Sequence, residues 1–406
     1  MPAIPATVAS SRAMPAIVDA ADARARAGEL VGRLRARAAK VDAERHIPPE
    51  SIAEIAAAGL FRIQAPRAFG GSQLGIAALT EAVAAIASGC GSTGWVYAVL
   101  AGHNWLVSLF PEEAQREVFS DPSSLVASIV RLGGKPPQRA AGGYLFEGAA
   151  GRFCSGIEHA TWVMVGAAVS DGGAPQARYF LIPKSEVEII DDWFTAGLRG
   201  TRSCSLKIAR AFVPEHRSVS IPEIANGTAP GIKLHNAPVY RAPFPQILPL
   251  PLSGVPIGLA RAALEACSDG AKARMKGFVD EQIAEQSAFF ARLSQADADI
   301  AAATALLLGQ AGELDAVEEG TKLPELARAR IVRNAGYSAN QCRYAVTRLF
   351  EGSGGSAIYD SVDLQRIWRD ANAAAAHNAF MRDKLDPAFG RAMLGLPPGK
   401  FDKIGH

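Results

Sequence analysis

The positions of the apolar residues divide the chain into three parts, of which the first is helical. From about Ala16 to Phe119 apolar residues recur at helical spacing, in segment 18–45 with Arg and Glu between them. Segments 74–89 and 92–110 are apolar on every side. Because such helices are buried inside large proteins, this part is predicted to be a helical domain with buried inner helices.

The pattern changes near Asp121 to short apolar or alternating runs. Between Leu125 and about Pro214 these runs are separated by turn-forming stretches such as GGKPP and GLRGTRS. Several short strands at regular spacing predict a small antiparallel barrel or sandwich. The Pro-rich segment 214–250 that follows is predicted to be a connector.

After Pro251 the helical spacing returns. Four long amphipathic segments cover 254–275, 280–320, 324–352 and 362–385. Because the connections between them are short, they predict a four-helix bundle.

The predicted fold class is therefore α+β. We expect an N-terminal helical domain over 1–122, a central antiparallel β domain over 123–232 and a C-terminal helical bundle over 233–406.

Composition mainly excludes classes of partner. The chain has 406 residues, a net charge of +2 and 49% apolar residues, which is typical of a folded globular protein. This charge balance indicates neither a nucleic-acid partner nor an anionic membrane surface, so we expect a small-molecule partner. The chain starts with no pattern typical of a signal peptide, and no apolar run is long enough to span a bilayer.

The five cysteines are scattered and form no CxxC pair, which fits free thiols in a reducing compartment. We therefore predict a cytoplasmic protein. The seven histidines form no HxH or HxxxH pair, so no metal site is predicted.

Common catalytic and phosphate-binding motifs are absent from the sequence. We find no GxSxG, GxxxxGK[ST] or HExxH, and GSGGS at 352–356 does not follow a predicted strand. The glycines are interpreted as an inter-helix turn or as a place where a cofactor approaches the backbone. No NAD(P)H-binding fingerprint is visible either.

Four stretches carry a family resemblance: PRAFGG (66–71), GYLFEGAAGRFCSGIEHATWVMVGA (143–167), GLRGTRSCSLKIARAFVPEHR (197–217) and LQRIWRD (364–370). Together with the α–β–α order, they resemble the acyl-CoA dehydrogenase superfamily of flavoproteins over nearly the whole chain. The resemblance implies an acyl-CoA dehydrogenase-like fold around a flavin.

One departure indicates the branch. The dehydrogenases carry a catalytic Glu soon after the Arg-Asp pair, but here Arg369 and Asp370 are followed by ANAAAAHNAF, with His377 and Asn378 in its place. A neutral amide does not act as a carboxylate base. The sequence resembles instead the oxygenase components of two-component, group D flavin monooxygenases, which include p-hydroxyphenylacetate, steroid-phenol and indole hydroxylases.

Three further features are shared with that branch. They are FCSGIEHA at 153–160, the pair Gly102-His103 and the strand VASIV at 126–130. The resemblance implies reduced FMN or FAD and O2 as cofactors, a flavin hydroperoxide as oxidant, an aromatic substrate and a separate NAD(P)H:flavin reductase.

The resemblance also implies roles for individual residues. Phe153, Cys154 and Ser155 would lie along the flavin, with Ser155 facing its reactive central-ring nitrogen. His377 would activate the substrate or guide the reacting oxygen, and His103 would assist from the substrate pocket. Further substrate contacts would come from Trp105, Ser128, Phe244 and Asn378.

Other residues would reach the phosphate end of the cofactor. Arg199, Thr201 and Arg241 are candidates because arginine offers a fixed fork of donors, and surface ion pairs are the alternative for the arginines. Arg348, Gly354 and Gly355 would reach a cofactor in a neighbouring subunit of a homotetramer, as the resemblance implies.

Structural interpretations of the leading candidates remain open. Ser155 also fits a serine that satisfies the end of a strand, and Ser128 an ordinary strand hydroxyl. His377, seven residues after Asp370, also fits a core histidine paired with that carboxylate on one helix face. His103 also fits a packed helix residue.

Two other functions are weighed against the monooxygenase: an acyl-CoA dehydrogenase and a non-catalytic flavin-binding protein on the same scaffold. The sequence does not determine which aromatic substrate is used, where it is hydroxylated or whether FMN or FAD is preferred.

Overall fold

The computed structural model describes residues 16–397 and residue 399, apart from 171–173, 276–286, 319–320, 322 and 398. Within these residues the chain forms twelve α-helices and nine strands. The helices are α1 Ala20–Glu44, α2 Pro49–Ala57, α3 Ile76–Gly89, α4 Gly91–Val107, α5 Glu112–Phe119, α6 Ile221–Ala225, α7 Pro230–His235, α8 Pro249–Met275, α9 Ser287–Asp315, α10 Glu325–Gly352, α11 Asp363–Ala375 and α12 Arg382–Met393. The strands are β1 Val126–Ile129, β2 Gly133–Gly134, β3 Gln138–Ala140, β4 Gly143–Cys154, β5 Trp162–Val169, β6 Gln176–Pro183, β7 Glu188–Ile190, β8 Cys204–Pro214 and β9 Ser218–Ser220.

The N-terminal helices follow the predicted pattern. Helix α1 is amphipathic and starts at an Asp19 cap, whose carboxylate accepts from the Asp22 N–H at 2.8 Å. Helices α3 and α4 are buried along almost their whole length. Helix α3 packs closely on α8 because α8 carries glycine at the contact: a Cβ on Gly258 would lie 2.3 Å from the Ala84 carbonyl oxygen.

The central part is a sandwich of two sheets. One has the strand order β1-β5-β6-β9 and the other β2-β4-β8-β7, with β3 paired to β4. Aromatic rings fill the space between them: Tyr144 and Phe146 on β4 both meet Phe180 on β6 edge-on, at 5.0 Å between centroids.

One pair of strands differs from the antiparallel prediction. Strands β1 and β5 run parallel, with Val126 opposite Trp162. The reason is the path of the chain, which leaves β1 for the second sheet and returns to pair β5 beside it. All other strand pairs described are antiparallel.

The C-terminal part is a four-helix bundle of α8, α9, α10 and α11, as predicted. Of the predicted second segment, residues 280–286 and 319–320 lie outside the described residues. The connector predicted over 214–250 contains β9, α6 and α7.

The predicted fourth helical segment, 362–385, is wrong as one continuous helix. Helix α11 ends at Ala375, and α12 begins at Arg382 after a short turn. A neighbouring helix stabilises this turn: the Asn340 side chain on α10 donates a hydrogen bond to the Phe380 carbonyl at 3.0 Å.

Buried apolar residues form one continuous core from Ile17 to Phe380, which crosses all three parts. The domain boundaries after residues 122 and 232 stay a prediction. No described helix has the length and hydropathy needed to cross a bilayer.

Candidate active site

A chain of buried hydroxyl groups lies where helix α4 meets the ends of β4 and β8. The Ser155 Oγ is 2.7 Å from the Ser203 Oγ, which is 2.8 Å from the Thr201 Oγ1. The Thr201 hydroxyl donates to the Leu198 carbonyl at 2.9 Å, and the Trp95 indole N–H donates to the Ser155 Oγ at 3.2 Å. Ser155 is therefore part of a hydrogen-bonded network that joins three segments of the chain.

The local backbone explains why Ser155 sits at this junction. The register between β4 and β8 shifts between Gly151 and Cys154, as at a β-bulge, which re-aims the side chains that follow. Phe153 has a φ of +67°, a region that few residues other than glycine adopt. Gly156 follows at φ +68°, and a Cβ there would lie 2.8 Å from Val96 on α4.

Phe153 and Cys154 have opposite surroundings. The Phe153 side chain is 61% exposed, and its ring meets Trp193 edge-on at 6.0 Å. Cys154 is fully buried, and burial raises the pKa of its thiol. Only Phe153 of the two therefore offers a side chain at the surface.

His377 contacts Trp95, the tryptophan that donates to Ser155, and it does not lie on an α-helix. It follows the end of α11, so the expectation that it shares a helix face with Asp370 is wrong. Its ring meets Trp95 edge-on at 5.3 Å and Phe380 at 5.9 Å. The residue keeps an exposed surface, but the protein packed around its ring lowers the pKa of His377 by desolvation.

The tautomer of His377 follows from its backbone neighbour. The Ala379 N–H donates to the His377 Nδ1 at 3.3 Å, so Nδ1 carries the lone pair. In the neutral ring the proton is then on Nε2, which is a donor.

A second polar pair joins α4 to strand β1. The His103 Nδ1 lies 2.6 Å from the Val126 carbonyl oxygen, and its Nε2 lies 2.9 Å from the Ser128 Oγ. Burial lowers the pKa of His103 to about 4, so the ring is neutral at neutral pH. Because a carbonyl only accepts, Nδ1 carries the proton and Ser128 donates to Nε2. Sequence-predicted residues from two segments thus form one directed pair.

Helix α4 aligns the two polar groups. Trp95 and His103 are eight residues apart, or about 12 Å along the axis at 1.5 Å per residue. The helix therefore presents one donor toward Ser155 and one imidazole toward Ser128 from a single rigid element.

The loop that carries Arg199 and Thr201 is anchored at several points. The Leu198 N–H donates to the buried Asp370 carboxylate at 2.6 Å, and burial raises the pKa of that carboxyl to about 6. Arg199 donates from Nε to the Asp42 carbonyl and from Nη1 to the Thr195 carbonyl. These contacts tie the loop to α11 and to α1.

Trp105 and Phe244, predicted as aromatic walls, stack on each other. Their rings are nearly parallel, at 13° and 6.4 Å between centroids, and both are buried. The Trp105 indole N–H donates to the Val239 carbonyl at 2.6 Å. The pair fixes the connector against α4.

Two predicted side chains are held by neighbours on the surface. The Asn378 Oδ1 accepts from Lys384 at 2.6 Å, and Arg241 hydrogen-bonds to Asn236.

Arg348, Gly354 and Gly355 lie on another part of the bundle. Arg348 pairs with Asp299 at 2.6 Å, and the two glycines form an exposed turn after α10, where Gly354 has a φ of +71°. The structure describes no contact that brings them to the hydroxyl chain within one subunit.

Two residues of the site, and the role of a third, are not singled out by the sequence. Trp95, Ser203 and the anchoring role of Asp370 emerge only from the packing of α4, β8 and α11. A tryptophan in the small-residue run GSTGW was the one available signal. Among the described residues, no group of three His, Cys, Asp or Glu side chains is placed to hold a metal ion.

The surroundings of Ser155 fit a flavin ring. An exposed aromatic side chain, Phe153, stands beside a buried hydroxyl that keeps hydrogen-bonding capacity. A planar, largely apolar ring with polar nitrogens needs this combination of an apolar contact and a single polar partner.

Two family models match the chain. One is the acyl-CoA dehydrogenase N-terminal domain, over residues 22–122, and the other is the acyl-CoA dehydrogenase C-terminal domain, over residues 250–382.

Individual relatives extend over nearly the full length. The chain is 35% identical to the flavin-dependent monooxygenase oxygenase subunit HsaA of Mycobacterium tuberculosis, over 94% of this chain and 97% of that protein. It is 32% identical to the FADH(2)-dependent resorcinol hydroxylase, oxygenase component, of a Rhizobium species, over 91% and 95%. The crystal structure of 3-HSA hydroxylase from Rhodococcus sp. RHA1 matches with a TM-score of 0.87 at 33% identity, covering 94% of this chain and 98% of that one.

These matches confirm the expected fold class, the flavin-dependent monooxygenase class of enzyme and the reduced-flavin cofactor. The chain belongs to the family of oxygenase components of flavin-dependent monooxygenases, which is built on the acyl-CoA dehydrogenase fold.

Proposed function

We propose that this enzyme hydroxylates a small aromatic compound of the phenol or indole type, using reduced FMN or FAD delivered by a separate NAD(P)H:flavin reductase. The observation that carries the proposal is the arrangement on α4, which brings the Trp95–Ser155 contact and the His103–Ser128 pair onto one helix. The Trp95–Ser155 contact suits a flavin, and the His103–Ser128 pair suits a substrate with an O–H or N–H hydrogen.

Phe153, Cys154 and Ser155 are proposed to hold the flavin ring. Reduced flavin bound here supplies the electrons with which O2 is activated. Phe153 offers its exposed ring and Ser155 its hydroxyl. Arg199 and Thr201 are proposed to keep the loop 195–203 in place near the cofactor.

Ser128 and His103 are proposed to orient and polarise the substrate. Because Ser128 donates to the His103 Nε2, its oxygen is left to accept a hydrogen bond from a phenol O–H or an indole N–H. A partial shift of the proton toward His103 increases electron density on the aromatic ring. Trp105 and Phe244 are proposed to form the wall behind this pair, and Asn378 to contribute at its edge.

His377 is proposed to donate a hydrogen bond from Nε2 during oxygen transfer. Its Nδ1 is already occupied by the Ala379 N–H, and its ring is next to Trp95. Nε2 is therefore the nitrogen left to donate, on a ring that contacts the tryptophan bound to Ser155.

The proposal is tested with chemically reduced FMN and FAD, supplied without a reductase. The enzyme is mixed with each flavin under argon, and then with labelled ¹⁸O2 and a panel of phenols and indole. We expect a product that carries one ¹⁸O atom. NADH and oxidised flavin without a reductase should form none, and an acyl-CoA should not bleach enzyme-bound flavin anaerobically.

Matched variants locate the chemistry. S128A and H103Q should lower the yield of hydroxylated product per flavin consumed. H216Q changes a histidine paired with Glu117 outside the site and should leave the yield unchanged. If no aromatic in the panel is hydroxylated although reduced flavin binds, the substrate class is wrong; equal yields in all three variants would contradict the roles of His103 and Ser128.

The assembly is proposed to be a homotetramer, and its compartment the cytoplasm. In such a tetramer Arg348, Gly354 and Gly355 are proposed to approach the cofactor of a neighbouring subunit. The five cysteines are buried thiols outside any disulfide, which fits a reducing compartment.

A further inference from the structure

The hydroxyl chain at Ser155 has a fixed direction, because it ends on a group that only accepts. The Leu198 carbonyl has no proton, so the single hydroxyl proton of Thr201 points to it. Thr201 is then an acceptor toward Ser203, and the Ser203 proton is used in that bond. The same reasoning makes Ser155 the donor to Ser203.

The donor direction is also fixed at the Ser155 end of the hydroxyl chain. The Trp95 indole nitrogen donates and never accepts, so it occupies one lone pair of the Ser155 oxygen. A hydroxyl has one proton and two lone pairs. Ser155 therefore has no proton left for a ligand and one lone pair still free.

We propose that Ser203 is a positioning residue that turns the proton of Ser155 inward, so that Ser155 meets the flavin only as an acceptor and the site prefers reduced flavin. This rests on the proposed function in one respect, the placement of Ser155 against the reactive central-ring nitrogen. That nitrogen carries a hydrogen in reduced flavin and only a lone pair in oxidised flavin. Ser155 can thus bond to the reduced form directly, whereas the oxidised form would face it lone pair to lone pair.

Oxidised flavin could accept a hydrogen bond from Ser155 only if all three hydroxyls of the hydroxyl chain reversed the direction in which they donate. Thr201 would then lose its bond to the Leu198 carbonyl, which would keep only the Trp193 indole N–H at 3.0 Å and the Thr201 backbone N–H at 3.2 Å. The loss of one neutral hydrogen bond corresponds to about a two- to tenfold change in an equilibrium constant. We therefore expect the fixed direction of the hydroxyl chain to make reduced flavin bind about two- to tenfold more tightly than oxidised flavin.

The experiment measures the dissociation constants of oxidised and reduced FMN, the latter under argon, for the whole enzyme and four variants. In S203A the Ser155 hydroxyl no longer donates to Ser203 and can donate to the flavin. The dissociation constant of oxidised FMN divided by that of reduced FMN should therefore fall about two- to tenfold. T201V is nearly isosteric and should lower the ratio in the same direction, since Ser203 then loses its acceptor. S203T keeps the hydroxyl and should keep the ratio.

Ser92→Ala is the matched structural control. Its hydroxyl accepts from the Gly200 N–H at 3.2 Å and so supports the same loop, but it is outside the chain of hydroxyls. S92A should change both constants by similar factors, if at all, and leave their ratio unchanged. The reduction potential of bound FMN offers a second readout, which should rise less relative to free FMN in S203A than in the unsubstituted enzyme.

The possible outcomes separate the two proposals. If S203A and T201V weaken both flavin forms equally, so that the ratio stays constant, Ser203 is a packing residue and this inference is wrong. If the unsubstituted enzyme binds neither form of FMN or FAD, the proposed function itself fails. A changed ratio in S203A and T201V, with S203T and S92A unchanged, supports the inference.

Discussion

Individual polar residues of this site owe their protonation states to their buried surroundings. Burial lowers the pKa of His103 to about 4 and raises the pKa of Asp370 to about 6, so the first is neutral and the second ionised at neutral pH. In these states His103 accepts a hydrogen bond from Ser128, and the Asp370 carboxylate accepts one from the Leu198 N–H. The two protonation states therefore give the pair and the loop their fixed geometry.

The two shifted groups predict opposite effects of pH on stability. Between the ordinary pKa of 6.5 and about 4, the unfolded chain protonates His103 and the folded chain does not, so this group makes the fold less stable as the pH falls. Between about 6 and 3.8 the folded chain protonates Asp370 first, so this group makes the fold more stable as the pH falls.

The prediction is checked by urea unfolding of H103Q and D370N at about pH 6.5 and about pH 4.5. Relative to the unsubstituted enzyme, H103Q should lose less free energy of unfolding on acidification and D370N should lose more, by about 1–3 kcal/mol each. Parallel pH profiles for all three proteins would contradict the shifted pKa values.

Secondary-structure elements from different parts of the chain are joined by a few close contacts. The Asp315 carboxylate at the end of α9 accepts from the Ile76 N–H at 2.7 Å and from the Ala77 N–H at 3.0 Å, so the bundle caps the start of α3. Gly197, in the loop before β8, packs against the carbonyl of Arg369 on α11. The first contact joins α9 to α3, and the second joins α11 to the loop 195–203, called the site loop below.

Removing the cap from α3 should lower stability. D315A leaves two N–H groups at a buried helix start without a protein acceptor, so the free energy of unfolding should fall by about 1–3 kcal/mol. D297A, an exposed aspartate on the same helix, should change it by less than about 0.5 kcal/mol. Both values come from urea denaturation, and equal effects would show that the cap contributes nothing specific.

Crowding the site loop should affect flavin binding. In G197A the new Cβ would lie 2.3 Å from the Arg369 carbonyl oxygen, so the loop must shift and carry Thr201 and Ser203 with it. We expect weaker binding of reduced FMN, by about tenfold or more at a cost of at least 1.4 kcal/mol. G32A, whose Cβ on α1 meets no atom within 4 Å, should bind FMN normally; normal binding by G197A would argue against the loop's role.

The end of helix α11 shows why some element boundaries were predicted wrongly from the sequence. The alanine-rich run before His377 has a helical pattern, but the chain leaves the helix at Ala375. The turn is favoured by Asn340, a residue on another helix that binds the Phe380 carbonyl. Likewise, nothing local to β1 specifies that β5 pairs with it in parallel, since the pairing depends on the path through the second sheet.

The whole molecule has a continuous core, and large apolar side chains of its C-terminal part are exposed. Large exposed apolar side chains there include Ile358, Tyr359, Met393 and Leu394, at 63–76% exposure. Exposed apolar patches on soluble proteins commonly mark protein interfaces. The two exposed pairs, Ile358 with Tyr359 and Met393 with Leu394, support the proposed homotetramer.

Light scattering after size exclusion should report a mass of about 170 kDa, four times the chain mass of 42.6 kDa. The double variant I358D/Y359D places charges on one of these exposed pairs and should shift the enzyme to smaller species. The double variant K40D/E44K, which reverses a surface ion pair on α1, should not. A monomer for the unsubstituted enzyme would overturn the tetramer.

The sequence by itself determined the α–β–α order and the bundle, and it predicted the hydroxyl and imidazole groups of the candidate site, because periodicity and motif content are local properties. Only the tertiary structure decided that Ser128 donates to His103, that Trp95 links Ser155 to His377 and that Ser203 sets the direction of the hydroxyl chain. A hydrogen bond's direction depends on every other partner of its two groups. Those partners come from segments that are distant in sequence and meet only when the chain folds.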